Sequence, residues 1–349
     1  MPSLICGVDV SSLLQVEAGG GIFYDAHGAP IPDVLIYLQS QGVNAVRLRL
    51  WHTPPDGVHD LDDNLTLARR IHANGMIFLL DIHYSDTWAD PAHQTKPAAW
   101  ADLSFTDLRQ AVYDYTADVM QAFIAQNTPP DMVQIGNEIS GGMLWDDGWV
   151  QGEAGWSNLA LLLQAGADAV RHTSPHTRIM LHVDTGGDRL ASQWFFDHII
   201  GQVDFDIIGL SYYPWWAGGI HRLRATLNRL AYRYAKPIIV VETAYPWTLA
   251  WADDTHNPVG ASDQLQPDYP ATPDGQHHFL MDVITTITDT RDNMAMGFFY
   301  WEPAYISAPA HGSFWENLAQ FDFDGRALPS LAAYGACLSV ITDEGHSTP

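Results

Sequence analysis

Two glutamates in this 349-residue chain follow apolar runs and carry neighbours suited to chemistry. Glu138 sits in Gln134-Ile135-Gly136-Asn137-Glu138, and Glu242 closes Ile238-Ile239-Val240-Val241-Glu242. Hydrolysis of a glycosidic bond needs one carboxylic acid to protonate the leaving oxygen and one carboxylate to attack the anomeric carbon or activate water. Glu138 is the candidate acid/base and Glu242 the candidate nucleophile. The amide of Asn137 is suited to a sugar 2-hydroxyl, a contact that strengthens at the transition state. Arg47 is the natural cation to keep Glu242 ionised, and Tyr212 or Tyr213 would donate a second hydrogen bond to it. Glu138 must instead keep its proton near neutral pH, which asks for burial and few positive neighbours. Trp301 would floor the site as a surface on which a sugar ring stacks.

Other polar residues also stand where apolar runs stop: Asp9, Arg49, Asp81, His83, His182, Asp184, Ser211 and Glu302. One charged residue at a strand end is ordinarily solvated or paired. Many of them converging on one pocket is costly unless the pocket is used.

The elements that would position them alternate short apolar runs with helix-period segments, the pattern of parallel strands joined by crossover helices. Strands are expected at Leu4 to Val10, Asn44 to Leu50, Met76 to Ile82, Asp131 to Gly136, Arg178 to Val183, Phe205 to Leu210, Pro237 to Val241 and Met296 to Trp301. Eight such units make an α/β fold of the (β/α)8 TIM barrel type, with active-site loops at the C-terminal face. A helix is predicted over Thr106 to Gln126 from Leu108, Val112, Tyr115, Val119 and Phe123 on one face. A second follows strand four, from Leu159, Leu162, Leu163, Gly166 and Val170. Gln41-Gly42 and Asn74-Gly75 mark helix ends. No linker or shift in composition divides the chain, so residues 1–349 are expected to form a single domain. The longest irregular segments follow strands three, four, seven and eight.

With 41 acidic against 16 basic residues the formal net charge is -25, which opposes nucleic acid and anionic membranes and suits a neutral glycan. No apolar run is long enough to span a bilayer, and Met1 to Cys6 is too short for a signal peptide. A mature form with an added start Met is the corresponding expectation. The two cysteines, Cys6 and Cys337, make no disulfide framework; two free buried thiols are expected, with a single bridge only if the chain ends meet.

The motifs together resemble the endo-β-1,4-galactanases of glycoside hydrolase family 53, members of a large retaining (β/α)8 clan. The matching segments are Gly7-Val8-Asp9-Val10-Ser11-Ser12, Val46-Arg47-Leu48-Arg49-Leu50-Trp51, Asp81-Ile82-His83-Tyr84-Ser85-Asp86-Thr87-Trp88-Ala89-Asp90-Pro91, Gln134-Ile135-Gly136-Asn137-Glu138-Ile139, Gly209-Leu210-Ser211-Tyr212-Tyr213-Pro214, Val241-Glu242-Thr243-Ala244-Tyr245-Pro246-Trp247 and Phe299-Tyr300-Trp301-Glu302-Pro303-Ala304. The resemblance implies cleavage within β-1,4-galactan, the side chain of pectin and type I arabinogalactan, with Glu138 as acid/base and Glu242 as nucleophile. Substrate contacts are expected from Asp9, Arg47, His83, Trp88, Asp90, Asn137, His182, Asp184, Ser211, Tyr212, Tyr213, Trp247 and Trp301. It implies an extracellular or periplasmic enzyme with a polysaccharide as partner; a monomer is the expectation for this chain. No cofactor is required for catalysis. Some family members bind calcium in the loop after strand seven. Here that loop reads Asp253-Asp254-Thr255-His256-Asn257, so a solvated acidic loop is expected, with Asp254 and His256 as ligands should structural calcium be held.

Three other functions fit parts of the pattern: a related endo-β-1,4-mannanase or glucanase, a metal-dependent barrel hydrolase or isomerase using Asp81, His83, His182, Asp184 and Glu242, and a carbohydrate-binding protein without activity. The last would leave both carboxylates unused.

Overall fold

The computed structural model describes residues 4–337; the outermost parts of the expected domain, including Met1, lie outside the described residues. Eight parallel strands close into a barrel. They are β1 (Ile5–Asp9), β2 (Ala45–Leu50), β3 (Ile77–Ile82), β4 (Met132–Ile135), β5 (Arg178–Val183), β6 (Ile207–Ser211), β7 (Ile238–Thr243) and β8 (Ala295–Trp301), and β8 pairs back onto β1. The crossover helices include α1 (Leu13–Ala18), α2 (Val34–Gln41), α3 (Leu61–Ala73), α4 (Phe105–Ala125), α5 (Gly152–Thr173), α6 (Arg189–Ile199), α7 (Pro214–Ala217), α8 (Ile220–Tyr234) and α9 (Pro273–Thr288). The fold class expected from the sequence is the one observed.

Alternation along each strand divides the core into two layers. Inside the barrel, Ile5, Ala45, Leu79, Met132, Met180, Ile239 and Phe299 form an apolar plug. The opposite faces, with Val8, Val46, Leu48, Phe78, Leu80, Val133 and Leu181 among them, pack against the helices. Continuing the inward rows upward brings Asp9, Arg47, Asp81, Gln134 and His182 together above the plug, all buried. The floor of the active site is therefore the next layer of the barrel interior.

Strict alternation would turn Glu242 outward, because Val241 belongs to the interior plug. Register shifts in β7, against β6 at Leu210/Ser211 and against β8 between Val240 and Thr243, break the alternation and bring Glu242 to the mouth. Glu138 reaches the mouth through backbone with positive φ, 81° at Gly136 and 48° at Glu138 itself. A non-glycine residue in that region costs about 1–3 kcal/mol and is held only by its surroundings.

The expected free thiols are corrected: Cys6 and Cys337 form a disulfide across 331 residues, with Cα atoms 6.5 Å apart. The last turn, Pro329–Tyr334, packs on α9 and α2. Gly42 permits this approach, since a Cβ there would lie 2.5 Å from the Tyr334 carbonyl oxygen. No local pattern in the sequence announces a contact between chain ends so far apart.

Candidate active site

Arg47 organises the barrel mouth. Its Nη1 donates to Asp9 Oδ2 at 2.9 Å and forms an ion pair with Glu242 Oε1 at 2.8 Å. Its Nη2 donates to Asp81 Oδ2 and to Asn137 Oδ1, each at 2.8 Å. Burial alone would disfavour the Arg47 cation, but Asp81, Glu242 and Asp9 together carry its pKa above the ordinary value. Truncating such a buried cation would strand three carboxylates, a cost of about 3–5 kcal/mol.

The two glutamates have different surroundings. Glu242 is ion-paired with Arg47 through Oε1 and accepts from the Tyr213 hydroxyl through Oε2 at 2.8 Å. Burial holds its pKa above the ordinary value, although Arg47 and Tyr213 pull it part of the way down. Glu138 has no cation within hydrogen-bonding distance; burial, the Glu242 charge and Asp184 hold its carboxyl well above the usual carboxylate range. Burial, Glu242 and Glu138 also raise the Tyr213 phenol far above its ordinary value, so that it stays a donor. Proton on Glu138 and charge on Glu242 is the arrangement these contacts favour.

Ser211 Oγ donates to Glu138 Oε1 at 2.6 Å and lies 2.8 Å from His182 Nε2. His182 Nδ1 lies 2.9 Å from Gln134 Nε2, 3.4 Å from the Glu138 backbone nitrogen and 3.0 Å from Asn137 Oδ1; the two N–H donors outnumber the one acceptor and favour Nδ1 as the acceptor, with Nε2–H donating to Ser211. Burial and the nearby Arg47 hold this imidazole well below its ordinary pKa, hence neutral. Because Oε1 of Glu138 accepts from Ser211, its proton belongs on Oε2.

One oxygen of Glu138, one of Glu242 and a ring nitrogen of His182 lie within 4.8 Å of one another. They are the one group of three candidate metal ligands among the described residues. Both His182 nitrogens are already hydrogen-bonded, so this chemistry does not suit a metal. Asp81 is taken by Arg47, His83 and Gln134, and Asp184 by the Ser140 hydroxyl.

Two adjoining cavities form a groove across the mouth, about 390 and 580 Å³ in volume. Glu138, Tyr213, Asp90 and Trp216 border both. The first is aromatic, walled by Trp88, Trp301, Phe314 and Trp315, with Arg49 packed 4.4 Å from the centre of the Trp88 ring. The second is polar, with Asp184, Asp188, Ser211 and Arg222.

The sequence profile of glycosyl hydrolase family 53 matches residues 5–334. The chain belongs to this family. It is 44% identical over 98% of its length to a Niallia circulans protein described as uncharacterised and encoded in the bgaB 5′ region, covering 96% of that protein. It is 37% identical to the probable arabinogalactan endo-β-1,4-galactanase A of Aspergillus terreus, over 94% of each chain. Among solved structures, the family 53 catalytic domain of Ignisphaera aggregans superposes with a TM-score of 0.91 at 39% identity, over 96% of each chain. The family 53 chain is thus a glycoside hydrolase on a (β/α)8 barrel.

Of the residues expected to contact substrate, Arg47, His83, Trp88, Asp90, Asn137, Tyr213 and Trp301 line the first cavity with both glutamates. Asp184 and Ser211 line the second. The other four, Asp9, His182, Tyr212 and Trp247, do not line either cavity. Asp9 is fully buried behind Arg47, held by Ser11. His182 lies one layer below the groove and reaches Glu138 through Ser211. Tyr212 faces away from the mouth, donating to the Gly218 carbonyl and stacking on Phe279. Trp247 donates to the Glu316 carbonyl and packs on Phe323.

Trp216, Phe314, Trp315 and Arg222 also line the groove, although they fall outside the strand-end motifs. A Trp-Trp pair following the Tyr213 strand end was a usable signal for Trp216, which is 68% exposed. Phe314 and Trp315 come from the loop after β8, with no motif near a strand end.

His256 borders the first cavity beside Trp251, whereas Asp254 does not. Neither meets two further acidic or histidine ligands among the described residues. The Asp253 carboxylate already accepts from the Thr255 and Ser313 backbone N–H groups and the Ser307 hydroxyl.

Proposed function

We propose that this enzyme is an endo-β-1,4-galactanase that hydrolyses galactan and type I arabinogalactan with retention, Glu242 attacking and Glu138 acting as acid then base. The observation that carries the reading is the carboxylate pair: oxygens within 4.8 Å, in opposite electrostatic surroundings. Retaining enzymes need carboxyl groups roughly 5–5.5 Å apart, whereas inverting enzymes leave roughly 6.5–9.5 Å for a water. The galactan specificity is supported by the named activity of the Aspergillus terreus relative.

In this reading Glu242, aimed by Arg47 and Tyr213, attacks the anomeric carbon while Glu138 Oε2 protonates the leaving oxygen. Glu138 then takes a proton from the incoming water, and the glycosyl ester at Glu242 is cleaved. The groove is open along both cavities, which suits attack within a chain. The sugar that bonds to Glu242 sits over the aromatic cavity, and the leaving segment runs into the polar one beside Glu138.

The Cys6–Cys337 bridge supports an oxidising compartment, extracellular or periplasmic. No described helix is long and apolar enough to cross a membrane.

A panel of galactan, mannan and cellulose, with product lengths followed over time, tests the reading. Galactan is expected to yield a falling series of oligosaccharides, and Glu242→Ala to yield none. Preference for mannan or cellulose would overturn the substrate assignment.

A further inference from the structure

On the flank of the barrel, outside the groove, a cavity of about 590 Å³ opens between α5 and α6. Trp156 of α5 and His198 of α6 stack face to face, ring centres 4.2 Å apart and planes 11° apart. Trp194 stands against both, 4.9 Å from Trp156 and 5.1 Å from His198, yet is 50% exposed. The half-exposed indole gives the cavity a flat apolar wall that solvent can reach.

The polar side chains around it narrow the ligand. Glu153, Ser157, His198 and Gln202 line the cavity, and no lysine or arginine does. His198 Nδ1 donates to the Trp194 carbonyl at 2.7 Å, which leaves Nε2 to bond a hydroxyl. A carboxylate, an imidazole nitrogen, a serine hydroxyl and an amide beside a flat aromatic ring suit a neutral polyhydroxylated ring. Its C–H face can lie on the indole while its hydroxyls donate outward. An anion is disfavoured by Glu153 and by the formal net charge of -25. The volume falls within the range of about 300–1,000 Å³ common to small-ligand sites.

We propose that the Trp194 cavity is a second, non-catalytic binding site for the glycan chain this enzyme cleaves. The inference rests on the glycan-hydrolase reading but not on which glycan is cut. Its use follows from the substrate being a polymer. Once one stretch of chain is held at the flank, entry of another stretch into the groove becomes intramolecular, and apparent affinity rises without any new contact at the groove.

The test is affinity electrophoresis in gels containing the polysaccharide that the wild type degrades fastest, with Glu242→Gln as the silent parent. Adding Trp194→Ala to that parent is expected to weaken retardation roughly tenfold, and Trp194→Tyr to restore most of it. In the active enzyme, Trp194→Ala should leave hydrolysis of oligosaccharides too short to span both sites within about twofold of wild type, while polymer turnover at low concentration falls roughly tenfold. Unchanged retardation, or equal loss on short and long substrates, would overturn the site. Failure to degrade galactan at all would instead count against the galactanase assignment, and the gel would then use the glycan that is degraded.

Discussion

Replacing Tyr213 by Phe removes one hydroxyl and leaves the ring packed against Trp215, Trp216 and Trp315, at 5.0, 5.5 and 5.8 Å between centres. What is lost is the 2.8 Å hydrogen bond to Glu242 Oε2. A hydrogen bond to a charged group contributes about 1.5–3 kcal/mol. One pKa unit corresponds to about 1.4 kcal/mol, so the nucleophile should rise by roughly 1–2 units. Arg47 stays on the other oxygen at 2.8 Å and water can enter from the open groove, so the lower end is expected, about 1 unit. The sign follows from the form stabilised: the phenol favours the carboxylate, its loss favours the acid, and Glu242 must be ionised to attack. The acid limb of the kcat/KM against pH profile therefore moves to higher pH by about 1 unit, and kcat at the optimum falls roughly tenfold. The assay is initial rate on soluble galactan across pH, with circular dichroism to check the fold. A fall in rate with an unmoved acid limb would refute an electrostatic role for the hydroxyl, and a limb moving to lower pH would refute the assigned polarity.

Ser211→Ala deletes the 2.6 Å donor to Glu138 Oε1, a contact that lowers that pKa. The basic limb should therefore shift to higher pH by about 1 unit, and kcat should fall through loss of orientation; a shift to lower pH would contradict the chain from His182 through Ser211. Glu138→Ala is expected to impair polymer far more than aryl glycosides with good leaving groups, which need no proton; equal loss would remove its role as acid. Activity should survive EDTA, because the proposed mechanism uses the two glutamates without a metal, and abolition reversed by added zinc or manganese would sink that view. Cys6→Ser opens a bridge spanning 331 residues and should cost about 2–4 kcal/mol in thermal or denaturant unfolding, with kinetics at room temperature unchanged.

Much of this was legible because alternation and apolar runs are local signals. Arg178–Val183 is both the expected and the observed fifth strand, and the long irregular segments do follow strands three, four, seven and eight. The helix expected over Thr106 to Gln126 is Phe105–Ala125, with Leu108, Val112, Val119 and Phe123 buried as the spacing requires. Glu138, Glu242, Arg47 and Tyr213 meet as their positions at strand ends imply. What escaped depends on depth and side rather than on strand position. Tyr212 and Tyr213 are neighbours, so one faces the groove and the other the helices, and no motif says which. Asp9 and His182 point inward but stop one layer too low. The bulge that turns Glu242 inward leaves no mark in the residues around it, and the Cys6–Cys337 pair depends on the whole chain returning to its start.

The most direct test of the double-displacement account is to trap its covalent intermediate. Incubation with a 2-fluoro-galactobioside carrying an activated leaving group should inactivate the enzyme in proportion to time, because the fluorine slows hydrolysis of the glycosyl ester more than its formation. Peptide mass mapping should then place one added disaccharide on Glu242, with Glu138 unmodified. A label on any other side chain, or turnover with inversion at the anomeric carbon and no label, would contradict the assignment.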